Sequence, residues 1–313
     1  MPTPRRAEFS DRSEHGFVLV AVLWMLAALA LLVTIFTVHL SASARAVSLN
    51  DGALKTEALV SAGVELAAYR LQLADDKKRP PEGAFHVRLS GTDIAVSFIT
   101  EAARVDLNAA PKELLSGLLS ALGAGNDAAK EAADRIVGWR TKAASDGDAS
   151  KEAALYQAAG RPYSPRQGPF AHVNELSLVL GMTPALVERA LPYVTVFSAS
   201  ASVDVMVAPA EVIAALPGMT PLKLKQFLGD RGSLVNDAAA LSSSLGGPNG
   251  GPNNAGAEQG KSQAYRIQVT LRFPDGRETV SEVVIGLKAK DVPYRVLSWQ
   301  NDMPRVARAR MEF

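Results

Sequence analysis

Residues 17–40 read FVLVAVLWMLAALALLVTIFTVHL, twenty-four positions without one Asp, Glu, Lys or Arg. At about 1.5 Å of rise per residue, such a run makes a helix of roughly 36 Å, long enough to cross a bilayer. From Ser41 to about Ala74 the helical pattern continues and becomes amphipathic. Val47, Leu54, Ala58, Ala62, Leu66, Tyr69 and Leu73 recur at helical spacing and predict one stripe facing an apolar neighbour. Pro80-Pro81 ends the helix, because proline lacks an amide hydrogen and clashes with the turn before it. The pattern predicts a transmembrane helix at 17–40 and an amphipathic stalk at 41–79.

A period of two then takes over. Phe85, Val87 and Leu89, followed by Ile94, Val96 and Phe98, flank Ser90-Gly91-Thr92-Asp93 and predict a hairpin within 82–103. Strand character returns in 264–313, where Tyr265, Ile267, Val269, Leu271 and Phe273 alternate with polar residues. Pro274-Asp275-Gly276 turns the chain, Thr279–Leu287 runs back, and Tyr294–Trp299 supplies a last strand. Between the two strand regions, 104–235 reads as helices punctuated by Gly and Pro, and 236–263 as a mobile Gly/Ser/Asn/Pro-rich loop. The predicted fold class is α+β: a long N-terminal helix packed on one antiparallel sheet, which is interrupted by a large inserted all-α domain.

The insertion repeats itself. Val105-Asp106-Leu107-Asn108-Ala109-Ala110-Pro111-Lys112-Glu113 aligns with Val203-Asp204-Val205-Met206-Val207-Ala208-Pro209-Ala210-Glu211, with five identities at a spacing of 98 residues. Proline is expected in the first helical turn of each copy, where its missing N–H is harmless. The glutamate two residues on favours the positive end of the helix dipole. Glycine-centred turns follow at Gly123 and Gly125, at Gly181 and at Gly218, so the segment reads as helix-hairpin-helix units.

Such hairpins often hold DNA through backbone amides aimed at phosphates. A membrane-anchored periplasmic DNA receptor of a competence-like system is therefore the alternative reading. Charge argues against it: residues 104–231 carry thirteen Lys/Arg and thirteen Asp/Glu, leaving no cationic surplus to neutralise phosphates. Thr183 and Thr220 also stand where a second glycine would let backbone approach a phosphate. A packing module for protein contacts is the favoured reading, with no nucleic acid expected.

Composition changes little of this. The chain has 313 residues with 33 Lys/Arg, 32 Asp/Glu and no cysteine, which excludes disulfides, thiolate metal sites and cysteine nucleophiles. His15, His39, His86 and His172 fall in four unrelated segments and form no triad or zinc signature. The chain is expected not to be an enzyme, and no cofactor is predicted. Asp146, Asp148 and Glu152 are weak calcium candidates without the spaced oxygen ligands of an EF-hand; an exposed polar turn is the plainer reading.

Three readings compete at the N-terminus. A cleaved secretory signal has an apolar segment of about 7–15 residues, shorter than this one, although Ala42-Ser43-Ala44 has the right small-residue character. A plain signal anchor is the second. The third rests on the Gly16-Phe17 junction, a polar leader ending in glycine before an aromatic that opens the apolar helix. That junction resembles the processing site of type IV pilins and pseudopilins, where prepilin peptidase cuts and the new N-terminus is methylated.

The whole chain resembles the K-type minor pseudopilins of type II secretion systems, the GspK family. The resemblance is carried by Gly16/Phe17, VDLNAAP at 105–111, ADRIVGW at 133–139, VNELSLVLGMTPALVERALPYVTVFS at 173–198, AALPGM ending at 219 and PYRVLSW at 293–299. It implies a 1–16 leader removed by prepilin peptidase and N-methylation of Phe17. It also implies a single inner-membrane span with the remainder in the periplasm of a Gram-negative bacterium. Implied partners are the I, J and H types of minor pseudopilin and the major pseudopilin. Most pilin-like subunits carry Glu as the fifth mature residue, which is thought to neutralise a neighbour's N-terminal ammonium; here the position is Ala21. An unpaired charge in an apolar helix bundle costs several kcal/mol, so a subunit without that carboxylate is expected at the filament tip, initiating assembly.

Overall fold

The computed structural model describes residues 14–75, 78–233, 257–258, 262–287 and 292–301. The first helix, α1, runs Glu14–Leu73, followed by β1 (Glu82–Leu89), β2 (Thr92–Thr100) and the two-residue β3 (Val105–Asp106). Helices α2 (Lys112–Ala121), α3 (Asn126–Arg140), α4 (Asp146–Ala158) and α5 (Pro184–Ala190) come next. Then follow β4 (Val194–Thr195), β5 (Val203–Asp204), α6 (Ala210–Ala214), α7 (Pro221–Asp230) and β6 (Ala257–Glu258). The long strands β7 (Ala264–Arg272), β8 (Glu278–Leu287) and β9 (Tyr294–Gln300) complete the order. Met1–Ala58 is one compact unit and Leu59–Phe313 a second.

In the second unit, β1-β2-β7-β8-β9 make a five-stranded antiparallel sheet. The β1–β2 turn places Ser90 (φ 52°) and Gly91 (φ 76°) both in the left-handed region, with Leu89 paired to Thr92. That is the two-residue turn whose twist matches antiparallel strands. Alternation in the strands sends Ile94, Val96, Ile267, Val269, Leu271, Val283 and Ile285 to one face, where they meet α1.

The face of α1 against this sheet differs from the stripe that spacing picks out. Val60, Val64, Ala67 and Leu71 are the buried set, while Leu66, Tyr69 and Leu73 of the predicted stripe are 39%, 61% and 69% exposed. The reason is that the stalk has two apolar faces, and periodicity alone cannot say which one meets its own sheet. Gly63 decides it physically: a Cβ there would sit 3.1–3.2 Å from Val269 and Val96, so the small residue lets helix and sheet close together.

Between β2 and β7 the chain is helix-rich with its own apolar cluster, built around Leu114, Leu118, Ile136, Trp139, Leu176 and Ile213. It is not all-α. β3 pairs in parallel with β4, and β5 in parallel with β6. Two-residue strands carry no period that a sequence could display. The 236–263 loop lies outside the described residues except for β6, Ser262 and Gln263, and β6 pairs with β5.

Candidate functional site: stalk face and duplicated hairpins

Val18–Thr37 of α1 is long and apolar enough to cross a membrane. Gly16 and Phe17 fall near the start of that helix, and Ala21 lies in the span itself. Residues 1–13 of the expected leader lie outside the described residues.

Further along, Tyr294 anchors β9 to the stalk. Its hydroxyl donates to Glu65 Oε1 at 2.7 Å, and Gln72 Nε2 donates to the Pro293 carbonyl at 2.6 Å. Burial first, and then the Glu65 carboxylate, push the Tyr294 hydroxyl up to about 12. The exposed Leu66, Tyr69 and Leu73 belong to the same helix as those two anchors, and β9 adds exposed Val296 and Leu297.

The repeat seen in sequence is a repeat in space. Asp106 Oδ1 accepts the Asn108 amide at 2.7 Å, and Asp204 Oδ1 accepts the Met206 amide at 3.0 Å. Each Asp carbonyl then accepts the amide four residues on, from Ala110 and from Ala208, both at 2.8 Å. Pro111 and Pro209 sit at the N-caps of α2 and α6, one position earlier than expected. Asp106 is buried, which raises its pKa, opposed by the amides of Asn108, Ala199, Ala109 and Ser198 around the carboxylate.

Two arginines that sequence spacing does not reveal lock these loops. Arg140 donates from Nη1 to the Leu107 carbonyl (2.6 Å) and from Nη2 to the Ala110 carbonyl (2.7 Å). In the second copy Arg231 Nη2 donates to the equivalent carbonyls of Val205 (2.7 Å) and Ala208 (2.6 Å). Burial lowers the pKa of both guanidiniums, and Asp106 and Glu82 respectively are the first charges to oppose it.

The three predicted hairpins share one geometry. Gly123 (φ 92°), Gly181 (φ 82°) and Gly218 (φ 77°) all adopt the left-handed region that side chains resist. Two residues after each comes a helix N-cap: Gly125, Thr183 and Thr220. The threonine hydroxyls accept the amides of Leu186 and Lys223, both at 3.3 Å, so they cap helices. After α2, the Gly123 and Ala124 amides donate to Ser120 and Leu119 in a Schellman motif.

Asp146, Asp148 and Glu152 do not converge. Asp148 pairs with Lys151 and accepts from Ser145 Oγ, whereas Glu152 Oε2 turns to Arg135 at 2.8 Å. Among the described residues no group of three or more His, Cys, Asp or Glu is placed to hold a metal.

A second carboxylate organises the helix-rich core. Glu175 accepts from the Ala171 amide (2.9 Å), Arg166 Nη1 (2.8 Å) and Trp139 Nε1 (3.2 Å). Trp139 also stacks on Phe170 at 6.1 Å between centroids.

These features define a class first: an α+β fold in which an apolar N-terminal helix, long enough to cross a membrane, continues into a stretch that packs on an antiparallel sheet. Residues 96–199 match the family model described as type II secretion system (T2SS), protein K. The fold is similar to a chain in the crystal structure of the GspK-GspI-GspJ complex of the type 2 secretion system of enterotoxigenic Escherichia coli. The TM-score is 0.54 at 16% identity, covering 80% of this chain and 95% of that one. No curated protein matches the chain. The family match over residues 96–199 is a similarity in sequence to protein K of type II secretion systems, and the structural match is a similarity in fold; the two point the same way.

Proposed function

We propose that the protein is the tip subunit of a type II secretion pseudopilus, initiating its assembly in the inner membrane with the helix-rich segment in the periplasm. The observation that carries this reading is the double-faced stalk. One face is consumed by the protein's own sheet through Val60, Val64, Ala67 and Leu71. The other leaves Leu66, Tyr69 and Leu73 uncovered, on the same helix as an apolar span. Apolar side chains exposed on a stalk are stabilised by burial against sister stalks, at about 25 cal/mol per Å² removed from water. The sister minor pseudopilins of the I and J types are the fitting partners.

Ala21 supports a terminal place. Without a carboxylate at that position the chain offers nothing to neutralise a neighbour's ammonium in the apolar bundle. Cleavage between Gly16 and Phe17 by prepilin peptidase, followed by methylation of Phe17, would free the rod for this packing. The role is assembly, not catalysis. Balanced charge in the helix-rich segment leaves the DNA-receptor reading without support.

Co-purification with I- and J-type subunits tests the reading. Tyr69→Glu with Leu66→Glu is expected to lower recovered complex about tenfold, because charges replace contacts meant to be dry. Undiminished recovery would contradict the stalk-face account. Ala21→Glu is expected to alter tip placement and pseudopilus number in cells; unchanged assembly would remove the electrostatic argument.

A further inference from the structure

At the junction between the sheet and the helix-rich segment lies one buried carboxylate, Glu101. It belongs to the 3-10 turn Glu101–Ala103 that leads the chain out of β2, a turn capped by the Thr100 hydroxyl accepting the Ala102 amide at 3.3 Å. Its side chain has no solvent exposure at all. Arg266, on the returning strand β7, grips it in bidentate fashion, Nε to Oε1 at 2.7 Å and Nη2 to Oε2 at 3.2 Å. The same guanidinium reaches Glu282 of β8 through Nη1. Arg104, just past the turn, adds Nη1 to Glu101 Oε1 at 3.4 Å. From the helix-rich side, the Thr195 hydroxyl of β4 donates to Glu101 Oε2 and is itself held by the Phe197 amide at 3.1 Å.

Two Glu and two Arg make the cluster electrically neutral, so no member is buried without compensation. The apolar cores on its two sides share no residue. Close packing inside each core says little about the angle between them. Directional hydrogen bonds to one carboxylate from β7 on the sheet side and β4 on the helix-rich side do set an angle.

We propose that Glu101 is a latch that fixes the orientation of the helix-rich segment on the sheet, with Arg266 as its sheet-side anchor and Thr195 as its helix-side anchor. Glu101 serves fold geometry that lies outside both the stalk face and the duplicated loops. The proposal stands whether or not the protein occupies a filament tip.

The absence of cysteine makes a direct test clean. Ala84→Cys on β1 and Ala128→Cys on α3 replace exposed alanines on regular elements, one on each side of the latch. Both sites are spin-labelled in the full chain in lipid nanodiscs, and the distance between labels is read by double electron–electron resonance. The unmodified latch is expected to give one narrow distance distribution. Glu101→Gln, which leaves Arg266 and Arg104 facing Glu282 alone, is expected to widen it about twofold. Thr195→Val removes only the helix-side hydrogen bond and is expected to widen it less, with hydrogen-exchange protection inside both cores retained. An unchanged distribution in Glu101→Gln overturns the proposal. Should that variant fail to accumulate, an unchanged distribution in Thr195→Val overturns it equally.

Discussion

Trp139 and Glu175 are joined by an indole N–H donated to a carboxylate oxygen at 3.2 Å. Trp139 closes the ADRIVGW stretch and Glu175 sits in the VNEL stretch, so one hydrogen bond ties together two of the segments most characteristic of this chain. Glu175 meanwhile completes a capping box with His172, whose Nδ1 accepts the Asn174 amide at 3.1 Å. Glu175→Ala would leave the indole and Arg166 without their acceptor. The expected loss is about 2–3 kcal/mol of stability by chemical denaturation.

The same carboxylate sets an acid response. Burial pushes its pKa up, but the Ala171 amide, Arg166 and Trp139 together outweigh that and hold it below the ordinary 4.5. A depressed carboxylate contributes stability that is complete above its unfolded value and disappears as pH falls through the folded one. The stability gap between the native chain and Glu175→Gln should therefore narrow below about pH 4.3. Denaturation midpoints collected from neutral to acid pH check this; a gap independent of pH would contradict it.

Helix α2 passes α6 so closely at Gly117 that an added Cβ would overlap the carbonyl oxygen of Ala215. Backbone cannot swing aside as a side-chain tip can, so Gly117→Ala should cost about 1–3 kcal/mol. Gly125, with φ −61° and no atom within 4 Å of where a methyl group would stand, offers the control. Gly125→Ala should cost less, about 0.5–1 kcal/mol, the difference between glycine and alanine as a helix N-cap. Thermal melts of the pair decide the point.

Arg140 and Arg231 each bridge two carbonyls of equivalent loops. A lysine ammonium is a point donor without the planar fork, so Arg140→Lys and Arg231→Lys should each lose about 1–2 kcal/mol despite keeping the charge. Equal stability of the lysine variants would show that charge alone matters at these positions.

How much of this is legible in the sequence follows from the range over which each signal acts. Val-Asp, Pro and Glu recur within nine residues, so the two loops align by eye. Arg140 and Arg231 do not, because helical hairpins of different length separate them from the carbonyls they bind. The sheet is readable from strict alternation in β2 and β7, and its turns from Gly91 and Gly276. Spacing alone does not say which stalk face meets the sheet, because Leu66, Tyr69 and Leu73 repeat as regularly as Val60, Val64, Ala67 and Leu71. Only the position of the sheet breaks that tie. Glu101, Arg266 and Glu282 give no signal, since charged residues at scattered positions look like surface until the fold buries them.

Tyr294 should ionise late, as should Tyr156, whose hydroxyl burial also pushes up. Burial, then the bond to Glu65, push Tyr294 up to about 12 from the ordinary 10.0. For a raised pKa, the stabilising contribution is complete below the unfolded value and is lost as pH rises through the folded one. Ultraviolet titration of the chain's six tyrosines should show a late component that shrinks in Tyr294→Phe, leaving the share that belongs to Tyr156. A late component of unchanged size in that variant would assign it wholly to other tyrosines.

The central claim is that a leader is removed to expose a methylated, membrane-spanning rod built for lateral packing. Intact-mass spectrometry of the protein extracted from membranes of cells with an active prepilin peptidase tests it most directly. The account predicts a single species beginning at N-methylated Phe17. A chain still carrying residues 1–16, or one cut after Ala44 with the apolar helix gone, would contradict it.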